Sequence, residues 1–268
     1  MSTGLVIALI VAAISLFAYF GKSETNPITQ EKQHVAGITA EQEVALGLQA
    51  APQMVQQFGG LDPSPEAQAL VDRVGERLVS RTAAAQSPYR FEFHLLDDPE
   101  TINAFALPGG QVAITEGLVR RLESEGQLAG VLGHEIGHVI ARHGAEHIAK
   151  QQLTEGLTGA AVLATYDPNN PASRGSAAVA AMIGQLVTMR FGRQDELESD
   201  QLGVRFAAEA GYDPRSMIGL MKILAQSSEG GRPPEFFSTH PNPENRIARI
   251  EDAIQKQFPG GVPAGLEK

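Results

Sequence analysis

The sequence lacks cysteine altogether, and it also lacks any cluster of lysine and arginine. Without cysteine there can be no disulfide bond, thiol catalysis, zinc ribbon or iron–sulfur cluster, so a bound metal must be held by histidine, aspartate or glutamate. The 21 basic residues are outnumbered by 31 acidic ones, which gives a net charge of −10. Because phosphate contacts require concentrated positive charge, this composition argues against nucleic-acid binding.

Long apolar runs are also scarce, and residues 4–20 (GLVIALIVAAISLFAYF) form the one that is long enough to cross a membrane. This uncharged run lies at the short end of the range for a transmembrane helix, and we expect residues 1–22 to form an N-terminal membrane anchor. The alternative is a cleaved signal peptide, although no basic residue precedes the run and no clear cleavage site follows it. Residues 23–37 are polar and turn-rich, which is typical of a linker.

The body of the chain, residues 38–268, is long enough for one sizeable core, and we expect one mostly helical α+β domain with a small β-sheet. Residues 156–190 hold two short Ala- and Gly-rich apolar stretches, for which we expect close helix packing or a membrane-dipping hairpin. The spacing of apolar residues predicts helices over 39–58, 64–84, 124–150 and, as a pair, 192–226, with a last helix near 250, and strands within 89–98 and 102–119.

The stretch VLGHEIGHVIARH, residues 131–143, carries the strongest chemical signal. His134 and His138 are four residues apart in a predicted helix, so both imidazoles lie on one face and can bind one metal ion. Glu135 follows the first histidine and can act as general base toward an attacking water. Burying this carboxylate beside two imidazoles without an ion would be costly, which favours a metal site over an ordinary helix.

A catalytic zinc site needs a third protein ligand. On a continuous helix His143 faces away from the first histidine, and His147 is also badly placed, so neither is predicted as a ligand. Glu196 and Asp200 share a helix face, so that Glu196 can be the third ligand and Asp200 can accept the free ring N–H of a ligating histidine. The alternative is a solvated acidic face, the side on which Glu198 should lie.

Taken together, these motifs and their order resemble those of peptidase family M48, the zinc metalloendopeptidases that include HtpX-type and CAAX-protein proteases. The family often has alanine where this chain has Ser199, and HtpX-type members carry several transmembrane helices where this chain shows one. The resemblance is therefore to the single-anchor, periplasmic bacterial branch. The matching segments keep the family order over residues 103–250, and they are HExxH at 134–138, E-x-x-x-D at 196–200, NAFALPGGQVAITEGL, GHEIGHVIARH and FFSTHPNPENRIARI.

The resemblance implies a zincin-like fold of the gluzincin type, with one Zn²⁺ per chain held by His134, His138 and Glu196, and Glu135 as the base. It also implies an endopeptidase that cleaves polypeptide substrates, with misfolded or envelope proteins as the candidates. The implied location is the bacterial cell envelope, as a single-pass inner-membrane protein whose catalytic domain is periplasmic.

Three further features of the site are expected with alternatives. His240 either donates to the oxyanion or occupies the fourth zinc position and keeps the enzyme latent, unless it is a surface loop histidine. Arg246 either steadies that loop through an ion pair or lies exposed on the last helix. Asn103, Ala104, Phe105 and Ala106 form a candidate edge strand for an extended substrate, unless the strand is interior.

A rival function is a chaperone-like or assembly-factor binding module, whose zinc site is kept latent by His240. The presence of Glu135 argues against an inactive enzyme, since loss of that base is the simplest way to lose activity.

Overall fold

The computed structural model describes residues 3–21, 23–164, 190–228, 233–241 and 245–268. Within these ranges the chain is mostly helical with two small sheets, as predicted. The apolar stretches predicted over 156–190 lie largely outside the described residues. The elements are α1 (Thr3–Phe20), β1 (Glu24–Thr25), β2 (Lys32–Gln33), α2 (Ala40–Gln57), α3 (Pro65–Ser80), a 3₁₀ turn (Ala83–Gln86), β3 (Glu92–Leu96), β4 (Ala104–Ala106), β5 (Gln111–Thr115), α4 (Glu116–Val119), α5 (Glu125–Ile140), α6 (His143–Ala164), α7 (Arg193–Glu209), α8 (Ser216–Gln226), α9 (Phe236–Thr239) and α10 (Arg246–Gln257).

The larger sheet has the strand order β3-β5-β4. Strand β5 is fully buried in the centre, parallel to β3 and antiparallel to β4, with Leu95 opposite Ile114 and Phe105 opposite Ala113. Buried apolar residues of the sheet, α3, α5, α7, α8 and α10 form one core. Because it is last in the order β3-β5-β4, strand β4 lies at an edge of the sheet, and it precedes helix α5 in the chain.

The N-terminal apolar run forms helix α1, which packs along α6. Across the described residues, none of the helices combines the length and the apolar character that a membrane crossing requires. The predicted N-terminal transmembrane helix is therefore not supported by the structure.

Part of the segment predicted as a linker forms a hairpin, β1–β2, that packs on the domain. The buried Asn26 donates from Nδ2 to the carbonyl of Ile140 over 2.7 Å, and the buried Gln33 donates to the carbonyl of Ala141. Both carbonyls belong to the end of α5, where a helix leaves its last carbonyls without internal partners. The hairpin segment therefore supplies hydrogen-bond donors to two carbonyls at the end of α5.

The prediction of one continuous helix over 124–150 is wrong, because α5 ends at Ile140 and α6 begins at His143. Arg142 has φ = 58°, a left-handed conformation that is unfavourable for a residue with a side chain. Its guanidinium compensates by donating to Glu43 Oε1 over 2.9 Å and to the carbonyl of Ile38 over 2.6 Å. The break turns His143 away from the direction that a continuous helix would give it.

Helices α5 and α7 cross closely because glycines lie at the contact. A Cβ placed on Gly137 would lie 3.2 Å from Ser199 Cα and from Leu202 Cβ, and a Cβ on Gly203 would lie 3.1 Å from the backbone N of His134. The close crossing brings the first turns of α7 against the histidine-bearing face of α5.

Replacing Gly137 by alanine tests this crossing against the matched change Gly130→Ala on the same helix. Alanine is favoured over glycine inside a helix by about 1 kcal/mol, and a Cβ on Gly130 would meet only ordinary contacts of 3.5 Å or more. We expect Gly130→Ala to raise the free energy of unfolding in urea. The free energy of unfolding of Gly137→Ala should be at least about 1 kcal/mol lower than that of Gly130→Ala, because the new methyl group crowds Ser199 and Leu202. Equal stability of the two variants would contradict the close crossing.

Candidate metal centre

Four buried side chains converge between helices α5, α7 and α9: His134, His138, Glu196 and His240. One ligand atom from each lies within 4.8 Å of the others. The Nε2 atoms of His134 and His138 are 3.1 Å apart, and Glu196 Oε1 lies 3.0 Å from His240 Nδ1 and 3.4 Å from His138 Nε2. Ligands of a tetrahedral zinc ion with bonds of 2.0–2.1 Å lie roughly 3.4 Å apart, so this cluster could hold one such ion.

Several polar atoms of this site are buried and have no hydrogen-bond partner among the described residues. They are Glu135 Oε1, Glu135 Oε2 and His240 Nε2; Glu196 Oε2 and Arg246 Nη1 also lack a hydrogen bond, but they face each other as an ion pair over 3.2 Å. A buried carboxylate without partners is costly, and a cation with an attached water would satisfy it. The unpartnered atoms therefore fit a metal ion as well as the distances do.

Glu135 is fully buried beside the ligand group, with Oε1 3.6 Å from His240 Nε2. Burial raises the pKa of Glu135 above its ordinary value, more than the neighbouring histidines lower it. A carboxylate with a raised pKa next to the metal ligands is suited to accept a proton from water and to release it again.

Asp200 and Arg246 form a buried pair behind the first histidine. Arg246 donates from Nε and Nη2 to the two oxygens of Asp200, each over 2.8 Å, and Asp200 Oδ1 lies 3.0 Å from His134 Nδ1. Although burial alone would raise the pKa of Asp200, the charge of Arg246 lowers it below its ordinary value. The ionised Asp200 can thus accept the Nδ1–H of His134 and leave Nε2 free for a metal.

His240 follows the short helix α9 and is fully buried, which excludes a surface loop histidine. Its ring stacks on Phe236 at a centroid distance of 4.4 Å, and Phe191 N donates to the carbonyl of Thr239 over 3.0 Å. Burial opposes a positive charge on His240, but the carboxylates of Glu135 and Glu196 raise its pKa above the ordinary value. Arg246 is likewise buried, which excludes the exposed alternative.

Two neighbours of His138 are not predicted from the sequence. His143 Nδ1 lies 2.9 Å from His138 Nδ1, because the helix break redirects a side chain that was predicted to face away. Phe191 stacks on the His138 ring at a centroid distance of 3.9 Å, and nothing in its sequence context indicates this.

Glu198 is half-buried rather than solvent-facing, with Oε2 3.4 Å from His143 Nε2. His147 pairs with Asp195 at 3.2 Å and is not one of the clustered ligands.

Strand β4 offers backbone groups on its outer side. The residues Asn103, Phe105 and Leu107 pair with β5, so the alternation of antiparallel strands directs the backbone groups of Ala104 and Ala106 away from the sheet. Ala104 and Phe105 are buried and Ala106 is half-buried. A small cavity joins this strand to the site, since it is lined by Ala106, Pro108, His138 and Phe191, among others.

The sequence profile of peptidase family M48 matches residues 65–254. The β-barrel assembly-enhancing protease of Escherichia coli (strain K12) is 34% identical over 239 residues, which are 83% of this chain and 47% of that protein. The mitochondrial metalloendopeptidase OMA1 of Schizosaccharomyces pombe is 31% identical over 237 residues, which are 87% of this chain and 67% of that protein. The chain spans about half the length of the bacterial relatives that it matches.

Replacing Arg246 by methionine should leave the buried carboxylates of Asp200 and Glu196 without their cation. We expect the free energy of unfolding of the chelator-treated protein in urea to fall by about 3–5 kcal/mol at pH 7. Because the pKa of Asp200 is lowered in the folded state, this contribution is fully present above the ordinary carboxyl pKa of about 4, and it is lost progressively as the pH falls from there through the lowered pKa.

The matched control is Arg249→Met, at an exposed position of the same helix, with an expected change within about 0.5 kcal/mol. Similar losses in both variants would mean that the Arg246 ion pairs contribute little.

Proposed function

The chain belongs to peptidase family M48, and we propose that it is a zinc-dependent endopeptidase with a gluzincin-type site. The observation that carries this proposal is the buried cluster of His134, His138 and Glu196 beside the unpartnered carboxylate of Glu135. A His₂Glu ligand set is one of the standard sets of hydrolytic zinc. When bound, zinc supplies a Lewis acid that polarises the scissile carbonyl and makes water a better nucleophile.

The protein's own side chains and backbone supply the proton transfer, the orientation of a metal ligand and the binding of the substrate. Glu135 accepts the proton of the attacking water and later passes it to the leaving amine, for which its raised pKa is suited. Asp200, held by Arg246, fixes the ring of His134. The outward-facing backbone of Ala104 and Ala106 pairs with an extended peptide, a mode that gives affinity with little sequence preference.

We further propose that the closed site is a latent conformation. A catalytic zinc site keeps one coordination position open, whereas His240 Nδ1 lies within 3.4 Å of His134 Nε2 and 3.0 Å of Glu196 Oε1, where a fourth ligand belongs. The ligand cluster and Glu135 are buried, and so is Ala104 on the candidate substrate strand. Activity would then require that the α9 segment moves with its histidine.

The same closed site favours a second candidate, a binding module that holds polypeptides and cleaves none. The intact Glu135 argues for catalysis, because a permanently silent site has no need of an unpartnered buried carboxylate.

The substrates that we propose are misfolded or unassembled proteins of a bacterial cell envelope. Two observations support this class: the relative in Escherichia coli is named for enhancing β-barrel assembly, and an edge strand that reads backbone suits unfolded chains.

Glu135→Gln tests the base. In the zinc-loaded full chain we expect casein cleavage to fall at least about 100-fold, because a positioned base contributes 10²–10⁴ in rate. Zinc content by mass spectrometry should stay at the parent's value, since Glu135 is not a ligand. Cleavage that persists in the variant would contradict the assignment of the base.

His240→Ala tests latency under the same conditions. We expect casein cleavage at least about tenfold above that of the parent, because a coordination position becomes available. A variant that keeps its zinc but cleaves less than the parent would assign His240 to oxyanion stabilisation instead. If neither protein cleaves, the binding module becomes the better account.

A further inference from the structure

We propose that His143 is a positioning residue for the second metal ligand, because it accepts the Nδ1–H of His138 and thereby directs the Nε2 atom of His138 to the metal. The inference rests on the proposed metal site. It gives a role to a buried histidine that is not itself one of the clustered ligands.

The tautomer of His138 follows from which of its nitrogens faces the other ligands. Nε2 lies 3.1 Å from His134 Nε2 and 3.4 Å from Glu196 Oε1, so it belongs to the ligand cluster. A ring nitrogen bound to a metal carries no proton, and the proton of a neutral His138 is then on Nδ1. That Nδ1 faces His143 Nδ1 at 2.9 Å, an ordinary hydrogen-bond distance.

The tautomer of His143 is set in turn by Glu198. If His143 Nδ1 accepts from His138, a neutral ring carries its proton on Nε2. Glu198 Oε2 lies 3.4 Å from that Nε2, and an ionised carboxylate can only accept. The hydrogen bonds therefore all run in one direction, away from the metal: His138 donates to His143, and His143 donates to Glu198.

The backbone places His143 in this position at a cost that other contacts offset. The left-handed Arg142 directly precedes His143, and its guanidinium is held by the buried Glu43 and by the carbonyl of Ile38. Without the break, His143 would project from the opposite face of α5. The two ligand histidines thus have separate partners: the carboxylate of Asp200 lies behind His134, and the imidazole of His143 lies behind His138.

The test compares zinc affinities of full-length variants by competition with a chromophoric zinc chelator. His143→Leu fills the space but accepts no hydrogen bond, and outer partners of metal ligands typically contribute 10–100-fold in affinity. We expect His143→Leu to bind zinc about 10–100-fold more weakly than the parent. His143→Asn places an amide oxygen near the former Nδ1 and should stay within about threefold of the parent.

His147→Leu is the matched control, one turn further along α6 and paired with Asp195 instead of a ligand; its zinc affinity should equal that of the parent. Thermal unfolding of the metal-free proteins shows whether each variant is folded. Should His143→Leu fail to fold, Glu198→Ala at its half-exposed position decides, with an expected loss of about 3–10-fold in zinc affinity.

Parental zinc affinity in His143→Leu would overturn the inference, as would equal losses in His143→Leu and His143→Asn, which would mean a packing role. If His143→Leu does not fold, parental affinity in Glu198→Ala overturns it. A parent chain that binds no zinc would overturn the proposed function itself, which the variants alone cannot do. The two failures are therefore distinguishable.

Discussion

The structure depends on one electrostatic constraint: three carboxylates, those of Glu135, Glu196 and Asp200, are buried together with a single guanidinium, that of Arg246. With neutral imidazoles around them, this group carries two uncompensated negative charges away from water, a costly arrangement. A divalent cation among the ligands balances that charge. In the metal-free chain the same imbalance raises the pKa of His240, so that a proton partly replaces the cation.

The surrounding fold can be understood as what brings these groups together. Glycines at the crossing of α5 and α7 allow the two helix backbones to approach, which sets the acidic turn of α7 against the two histidines. Helix α10 supplies the compensating guanidinium, and the segment after α9 supplies the fourth donor. The core of apolar residues around β5 and α5 keeps the cluster dry, so that its charges interact strongly.

The central chemistry is readable from the sequence because helix geometry converts spacing into direction. Residues four apart share a face, which is enough to pair His134 with His138 and Glu196 with Asp200. The position of His143 is not readable in this way. It depends on a left-handed Arg142 that is stabilised by Glu43, about 100 residues earlier in the chain, and such long-range contacts leave no local pattern. For the N-terminal run, apolar composition predicts a membrane span that the described helices do not support, and the packing of α1 along α6 is not readable from that run.

Whether the buried donors form one metal site can be measured by zinc K-edge X-ray absorption on the zinc-loaded full chain. We expect one zinc per chain with histidine nitrogens and a carboxylate oxygen at about 2.0–2.1 Å, and the multiple-scattering pattern of three imidazoles in the closed state. Zinc surrounded only by oxygen ligands, or by fewer than two imidazoles, would contradict it.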